Sequence, residues 1–307
     1  MPTAYISHRA FLLHEMGPGH PENPERLRAI DDRLHAAHLY DHLAHHEAVA
    51  ATRAQLLRVH AADYVDALAA ASPATGHVAL DPDTSMNAHT LEAAYLAAGG
   101  AALAVDLVLR GEATNAFVAC RPPGHHATRD TAMGFCFFNN VAVAAAHALA
   151  VHKLARVAIV DFDVHHGNGT EAIFADEPRV MLCSTFQHPF YPHSGADTVS
   201  AHIVNVPLPA GTTGPAYREA FSAAVMPALD AFAPELVLCS AGFDGHREDE
   251  MAYFGLVEAD YAWITRQVMD VAARHARRRI VSVLEGGYDL GALGRSVATH
   301  VKTLACL

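Results

Sequence analysis

Short, continuously apolar runs alternate along this chain with longer stretches of helical spacing. Runs at Ala4–Ser7, Ala116–Cys120, Val157–Phe162, Val180–Thr185, Ile203–Val206, Leu236–Ser240 and Ile280–Leu284 read as strands. Between them, alanine-rich segments at Pro24–His38, Ala88–Leu109, Val141–Val151, Pro215–Phe232 and Val257–Arg277 read as helices. Asn23-Pro24 supplies an N-cap side chain and a proline for the first helical position. Strands that are apolar throughout, rather than at alternate positions, are covered on both faces. Their alternation with helices therefore predicts an α/β fold, a parallel sheet between two helical layers. Ligands of such open sheets bind beyond the carboxyl ends of the strands. Chemistry is thus expected in the residues just after each apolar run.

Four runs are succeeded by chemically suggestive segments. After Ala116–Cys120 comes Arg121-Pro122-Pro123-Gly124-His125-His126-Ala127, where prolines and glycine fix a loop that presents two adjacent imidazoles. A histidine beside a metal-activated water serves as general base and then as general acid. After Val157–Val160, the residues Asp161, Asp163 and His165 alternate, which turns them to one side of an extended chain. Calcium prefers oxygen donors throughout, so His165 argues against it; mixed His/Asp ligation fits catalytic zinc, with iron and manganese left open by ligand type. After Leu236–Ser240 comes Asp244, a third ligand that leaves positions free for water and a substrate carbonyl. After Ile280–Leu284 comes Glu285-Gly286-Gly287-Tyr288-Asp289, whose glycines permit a backbone path that turns the phenol inward.

Composition refines this picture modestly. With 307 residues, 51% of them hydrophobic, the chain can bury a large core, and no linker, repeat or low-complexity segment divides it. Residues 1–307 read as one domain. A formal charge of −12, from 33 acidic and 21 basic residues, disfavours nucleic acid and suits a cationic substrate. The basic cluster Arg274, Arg277, Arg278 and Arg279 reads as a helix C-terminus that complements the helix dipole. His35, His38, His42, His45 and His46 fall in a polar helical stretch and read as solvent-facing. Five cysteines without a CxxC pair read as thiols in a reducing compartment. The N-terminus lacks the pattern of a signal peptide, and the apolar stretches read as too short or too interrupted to cross a bilayer. The expectation is a cytoplasmic chain with no membrane partner, compatible with a homo-oligomer.

Together, RPPGHHA (Arg121–Ala127), GFCFFNN (Gly134–Asn140), DFDVHHGNGT (Asp161–Thr170), SAGFDGH (Ser240–His246) and EGGYDL (Glu285–Leu290) resemble the histone deacetylase family. The likeness is to its class II and bacterial amidohydrolase branch, within the arginase/deacetylase superfamily, and runs from Gly19-His20-Pro21-Glu22-Asn23-Pro24-Glu25-Arg26-Leu27 to Tyr288. It implies an arginase/deacetylase fold with a mainly parallel sheet of about eight strands. It implies one Zn²⁺ held by Asp163, His165 and Asp244. His126 would be general base and acid beside Asn168, while His125, held by Asp161, acts as an electrostatic partner. Tyr288 would hydrogen-bond the substrate carbonyl. A K⁺ ion would sit at Asp161 and Ser184, with backbone oxygens of Asp163, His165 and Thr185. Gly134, Phe135 and Tyr191 would wall the acyl channel, with Asp83 at its rim.

Two positions depart from other branches. Asn168 stands where class I members carry an aspartate, so the His126 imidazolium is less stabilised. Met251 stands where polyamine-directed relatives place a glutamate, although Glu248, Asp249 and Glu250 adjoin it. The reading is hydrolysis of an N-acyl amide, acetyl-lysine or a similar acylated amine, with an acetylpolyamine amidohydrolase as the alternative. A ureohydrolase would need two manganese ions and more carboxylates. A non-catalytic acyl-lysine reader would need neither the histidine pair nor Tyr288.

Overall fold

The computed structural model describes residues 1–307. The chain opens with β1 (Thr3–Ser7), α1 (Glu25–Ala36), β2 (Ala44–Glu47), α2 (Arg53–Leu56) and α3 (Ala62–Ala71). A small hairpin, β3 (Val78–Ala79) and β4 (Ser85–Met86), precedes the long α4 (Thr90–Leu109) and β5 (Asn115–Val118). The second half runs α5 (Asn140–Val151), β6 (Val157–Asp161), α6 (Asn168–Phe174), β7 (Val180–Gln187) and β8 (Ile203–Leu208). It ends with α7 (Gly214–Phe232), β9 (Leu236–Ala241), α8 (Glu258–His275), β10 (Ile280–Leu284) and α9 (Leu290–Leu304).

Eight strands form one sheet in the order β2-β1-β5-β10-β9-β6-β7-β8, and every pairing in it is parallel. The predicted parallel α/β sheet is therefore the observed one. Residues of β5, β6, β7, β9 and β10 are buried without exception, as expected for strands sandwiched between helices. Leucine, valine and alanine fill both faces, and four of the cysteines are buried free thiols there or nearby, with Cys306 exposed.

Helices α2, α3, α6 and α9 and the β3–β4 hairpin were not among the expected elements, and three further differences concern α1, β2 and α4. Helix α1 begins at Glu25, with Pro24 in the cap position; the Asn23 side chain still accepts from the Glu25 N–H at 3.0 Å. His45 and His46 lie on β2, an edge strand paired with β1, and not in a helix. An edge strand covered on one side only tolerates that polar alternation. Helix α4 is long and apolar enough to cross a membrane, contrary to the reading of the apolar stretches, but 72% of its most apolar window is buried within the protein. Its glycines explain the tight fit: a Cβ on Gly99 would overlap the backbone of Val49–Ala51.

Candidate active site

The sheet order places β5, β10, β9 and β6 side by side, so the segments that follow them converge on one edge. Asp161 is in register with Ser240 on β9 and with Ser184 on β7, while Ala241 is in register with Leu284 on β10. All four segments singled out in the sequence thus meet above neighbouring strands. Strand β6 stops at Asp161, and Asp163 and His165 lie in the turn beyond it.

Asp163, His165 and Asp244 are all buried, with one potential ligand atom from each within 4.8 Å of the others. His165 Nδ1 lies 3.1 Å from Asp163 Oδ1 and 3.2 Å from Asp244 Oδ2. The remaining oxygens are held by backbone donors: Gly286 N–H to Asp163 Oδ2 at 2.9 Å, and Val164 N–H to Asp244 Oδ1 at 3.0 Å. Asp244 Oδ2 alone is buried without a hydrogen bond. No backbone donor meets this oxygen; its one near partner is the His165 imidazole, and a buried carboxylate needs a cation beside it. Two glycines make room for these carboxylates, since a Cβ on Gly242 would overlap Asp163 and one on Gly286 would overlap Asp244. Burial lowers the His165 pKa, but Asp163 and Asp244 outweigh it and hold the imidazole up at about 10. Two buried carboxylates and an imidazole whose ligand atoms converge within 4.8 Å fit a divalent metal with mixed N/O ligation.

The adjacent histidines are bound differently. His125 Nδ1 donates to Asp161 Oδ2 at 3.0 Å, and His126 Nδ1 meets Asn168 Oδ1 at 2.8 Å. Burial opposes charge on His125, yet Asp161 and Asp163 raise its pKa to about 10. His126 goes the other way: burial, then the neighbouring His125 and His165, push it well below the ordinary value. With Nδ1 committed to Asn168, a neutral His126 presents an unprotonated Nε2. Its neighbour Gly134 has φ +55, and a Cβ there would come within 2.5 Å of the His126 ring.

A cavity of about 230 Å³ opens over this floor, with His126, His165 and Tyr288 at its base and Phe135, Tyr191 and Met251 along its sides. Phe135 meets Tyr288 edge to face, with ring centroids 5.8 Å apart, and Tyr191 meets His126 similarly at 5.2 Å. Asp83 lies at the rim, where the neighbouring Thr84 Oγ1 accepts the Phe135 N–H at 3.0 Å. Burial drives the Tyr288 phenol well above its ordinary pKa, so it remains a proton donor. Asp161, Ser184 and Thr185 lie below the floor: Ser184 Oγ is buried without a partner, and Thr185 Oγ1 lies 3.5 Å from the Asp161 carbonyl.

This arrangement has known counterparts. The model of the histone deacetylase domain matches residues 20–304. The chain belongs to the histone deacetylase family. A histone deacetylase-like amidohydrolase of Pseudomonas aeruginosa is 42% identical, over 94% of this chain and 82% of that protein. The mouse polyamine deacetylase HDAC10 is 39% identical, over 99% of this chain and 48% of its own length. The crystal structure of the HDA15 HD domain superposes with a TM-score of 0.94 at 35% identity, covering all of this chain and 90% of that one. The family is one of deacetylases and amidohydrolases, and this member retains its fold throughout.

Several residues around the site carry no obvious signal in the sequence. Phe190 also lines the cavity and stacks on His165 at 5.5 Å. Glu285, which only heads the EGGYDL segment, is fully buried beneath the histidine loop. Its Oε2 accepts the N–H groups of Gly124 and His125 at 2.6 and 3.1 Å, and its Oε1 accepts from Ser240 at 3.0 Å. Buried Arg26 donates to the Gly287 and Glu285 carbonyls and lies 5.0 Å over the Tyr288 ring. Buried Glu22 joins Arg26 to Arg121. Glu22, Arg26, Arg121 and Glu285 fall inside the family-like segments, but they act through backbone or through one another, so residue type alone does not signal their roles.

A second group, Asp106, His147 and His152, also brings imidazoles onto one carboxylate, with Nε2 atoms 2.9 and 2.6 Å from Asp106 Oδ1. Here Arg58 and Gln55 donors face His147 Nδ1 and Arg110 faces Asp106. Donors at Nδ1 leave the proton on Nε2, where it bonds the carboxylate. For His147 this satisfies both ring nitrogens, and Asp106 is ion-paired with Arg110.

Proposed function

We propose that this chain is a zinc-dependent deacetylase acting on linear N-acyl amides, foremost acetylated lysine side chains or similar acylated amines. The observation that carries this reading is the buried cluster of Asp163, His165 and Asp244, with ligand atoms within 4.8 Å of one another, at the floor of a cavity that also holds His126 and Tyr288. One zinc ion held by these three residues would supply a Lewis acid for the amide carbonyl and the attacking water. His126 Nε2 takes the proton from that water and returns it to the leaving amine. Burial, reinforced by His125 held as a cation by Asp161, keeps His126 from being protonated at rest. The Tyr288 hydroxyl donates to the carbonyl oxygen as negative charge develops there, a role worth about 3–4 kcal/mol. Phe135 and Tyr191 exclude water along a slender acyl chain. A potassium ion would be held by Asp161 and the unpartnered Ser184, with backbone oxygens of Asp163, His165 and Thr185, and would steady Asp161 under His125.

The polyamine reading is supported by the likeness to the mouse polyamine deacetylase and by the net charge of −12, which suits a cationic substrate. Against it, Met251 offers no charge to a distal ammonium. Glu248 is paired with Arg295 at 2.7 Å, and buried Asp249 is turned onto backbone N–H groups, which leaves exposed Glu250 and the rim residue Asp83. The deciding experiment compares turnover of an acetyl-lysine peptide and N-acetylputrescine by the zinc-loaded protein. Preference for the peptide is expected, and preference for the polyamine would replace the lysine reading. His126→Ala should reduce kcat by roughly 10²-fold or more while bound zinc stays near one per chain; equal loss of both would remove His126 from the role of base.

A further inference from the structure

The Tyr288 hydroxyl can act only if its backbone is held, yet the residues before it are Gly286 and Gly287, the latter at φ +124. Two glycines leave the chain free to rotate just where the phenol must point. From one side Arg26 grips the carbonyls of Glu285 and Gly287. From the other, the N–H groups of Tyr288 and Asp289 both donate to Asp249 Oδ2, at 2.6 and 3.0 Å. The other oxygen of that carboxylate accepts the Met251 N–H at 3.0 Å. Asp249 is only 5% exposed, so its three charge-assisted bonds are made in a poorly hydrated place.

We infer that Asp249 is a positioning residue that ties the side wall at Met251 to the hydroxyl donor Tyr288 at the base of the acyl cavity, so that wall and base move as one unit. This rests on the reading of Tyr288 as carbonyl donor. A carboxylate is the one side chain of this length that accepts three N–H groups without offering a donor of its own. An asparagine would turn an NH₂ toward either Met251 N–H or the Tyr288–Asp289 pair. Displacement of Met251 on the side wall by a substrate group is thereby transmitted to the phenol, which makes the fit along that wall count in the chemical step.

The test is a double-mutant cycle of Asp249→Asn and Tyr288→Phe in the zinc-loaded protein. Both kcat and KM are measured with an acetyl-lysine peptide and N-acetylputrescine, alongside hydroxamate affinity, bound zinc and melting temperature. Tyr288→Phe should lower kcat by about 10²–10³-fold. Asp249→Asn should lower kcat by at least about tenfold, with KM within about twofold, zinc content unchanged and hydroxamate binding weakened. Combined with Tyr288→Phe, it should add less than about a twofold further loss. Unimpaired Tyr288→Phe would overturn the donor reading and the positioning role with it. An impaired Tyr288→Phe beside an unimpaired Asp249→Asn, or losses that multiply in the double variant, would overturn the positioning role alone. Should Asp249→Asn not fold, Asp249→Ser, whose hydroxyl still accepts one N–H, is read against the same criteria.

Discussion

His125 and His126 are the same side chain at successive positions, and their surroundings drive them to opposite protonation states. Asp161 and Asp163 hold a proton on His125, up to about 10, against the cost of burial. His126, 4.0 Å away centroid to centroid, has burial and two imidazoles against it and only Asp163 and Asn168 in its favour. The neutral Asn168 is therefore the part of this environment most open to adjustment. In Asn168→Asp, a carboxylate facing Nδ1 stabilises the imidazolium and raises the His126 pKa. A general base must be unprotonated, so the acid limb of the kcat/KM profile should move to higher pH. An acid limb that stays put, or moves down, would show that His126 is not the group being titrated.

At the scale of elements, α5 shows how one helix end serves both packing and chemistry. Asn139 caps it, its Oδ1 accepting the Ala142 N–H at 3.0 Å. The same side chain's Nδ2 reaches back to the Ala127 carbonyl at 3.2 Å and to Thr170 at 3.1 Å, which ties the histidine loop to α6. Asn139→Ala should destabilise the protein by about 1–2 kcal/mol through the lost cap, and should lower kcat more than KM by loosening His126. Thermal unfolding and steady-state kinetics check both halves, and loss of stability with unchanged kcat would confine Asn139 to packing. Central strands and the long helices were legible in the sequence because burial on both faces writes itself as unbroken apolar runs. Strand β2 (Ala-His-His-Glu) was not, because an edge strand needs apolar residues on neither face consistently. Helix α9, which contains Gly291 and Gly294, was not among the predicted helices. Yet a Cβ on Gly294 would come 2.8 Å from the Ala29 carbonyl, so that glycine permits close packing of α9 on α1. The candidate ligands and histidines were legible because chemistry at strand ends clusters distinctive residues, whereas Asp249, Arg26 and Glu285 act on backbone groups and leave no such cluster.

For the whole molecule, the same burial that positions the site sets a pH dependence of stability through a histidine far from it in role. His300 on α9 is buried among Phe117, Phe162 and Phe243. Thr265 Oγ1 donates to the Tyr261 carbonyl at 2.6 Å, so it must accept from His300 Nδ1–H at 2.7 Å. His300 Nε2 then accepts from Ser282 Oγ at 2.8 Å. That tautomer is neutral and satisfied, and burial lowers its pKa to about 3. The unfolded chain protonates the same histidine near its ordinary value of about 6.5. Between those two values the unfolded state binds a proton that the native state refuses. This contribution to stability is thus intact above about pH 6.5 and declines as pH falls toward 3, by about 1.4 kcal/mol per pH unit. Other groups titrate in that range, notably Glu285, which burial raises to about 7 with the opposite sign, so the wild-type curve alone does not isolate the effect. His300→Leu does: although less stable at pH 8, it should lose stability less steeply than wild type between pH 6 and 4, by about that increment per unit. Denaturant unfolding of the two proteins at matched pH values measures the difference in slope, and parallel curves would mean that His300 is not held neutral by the core.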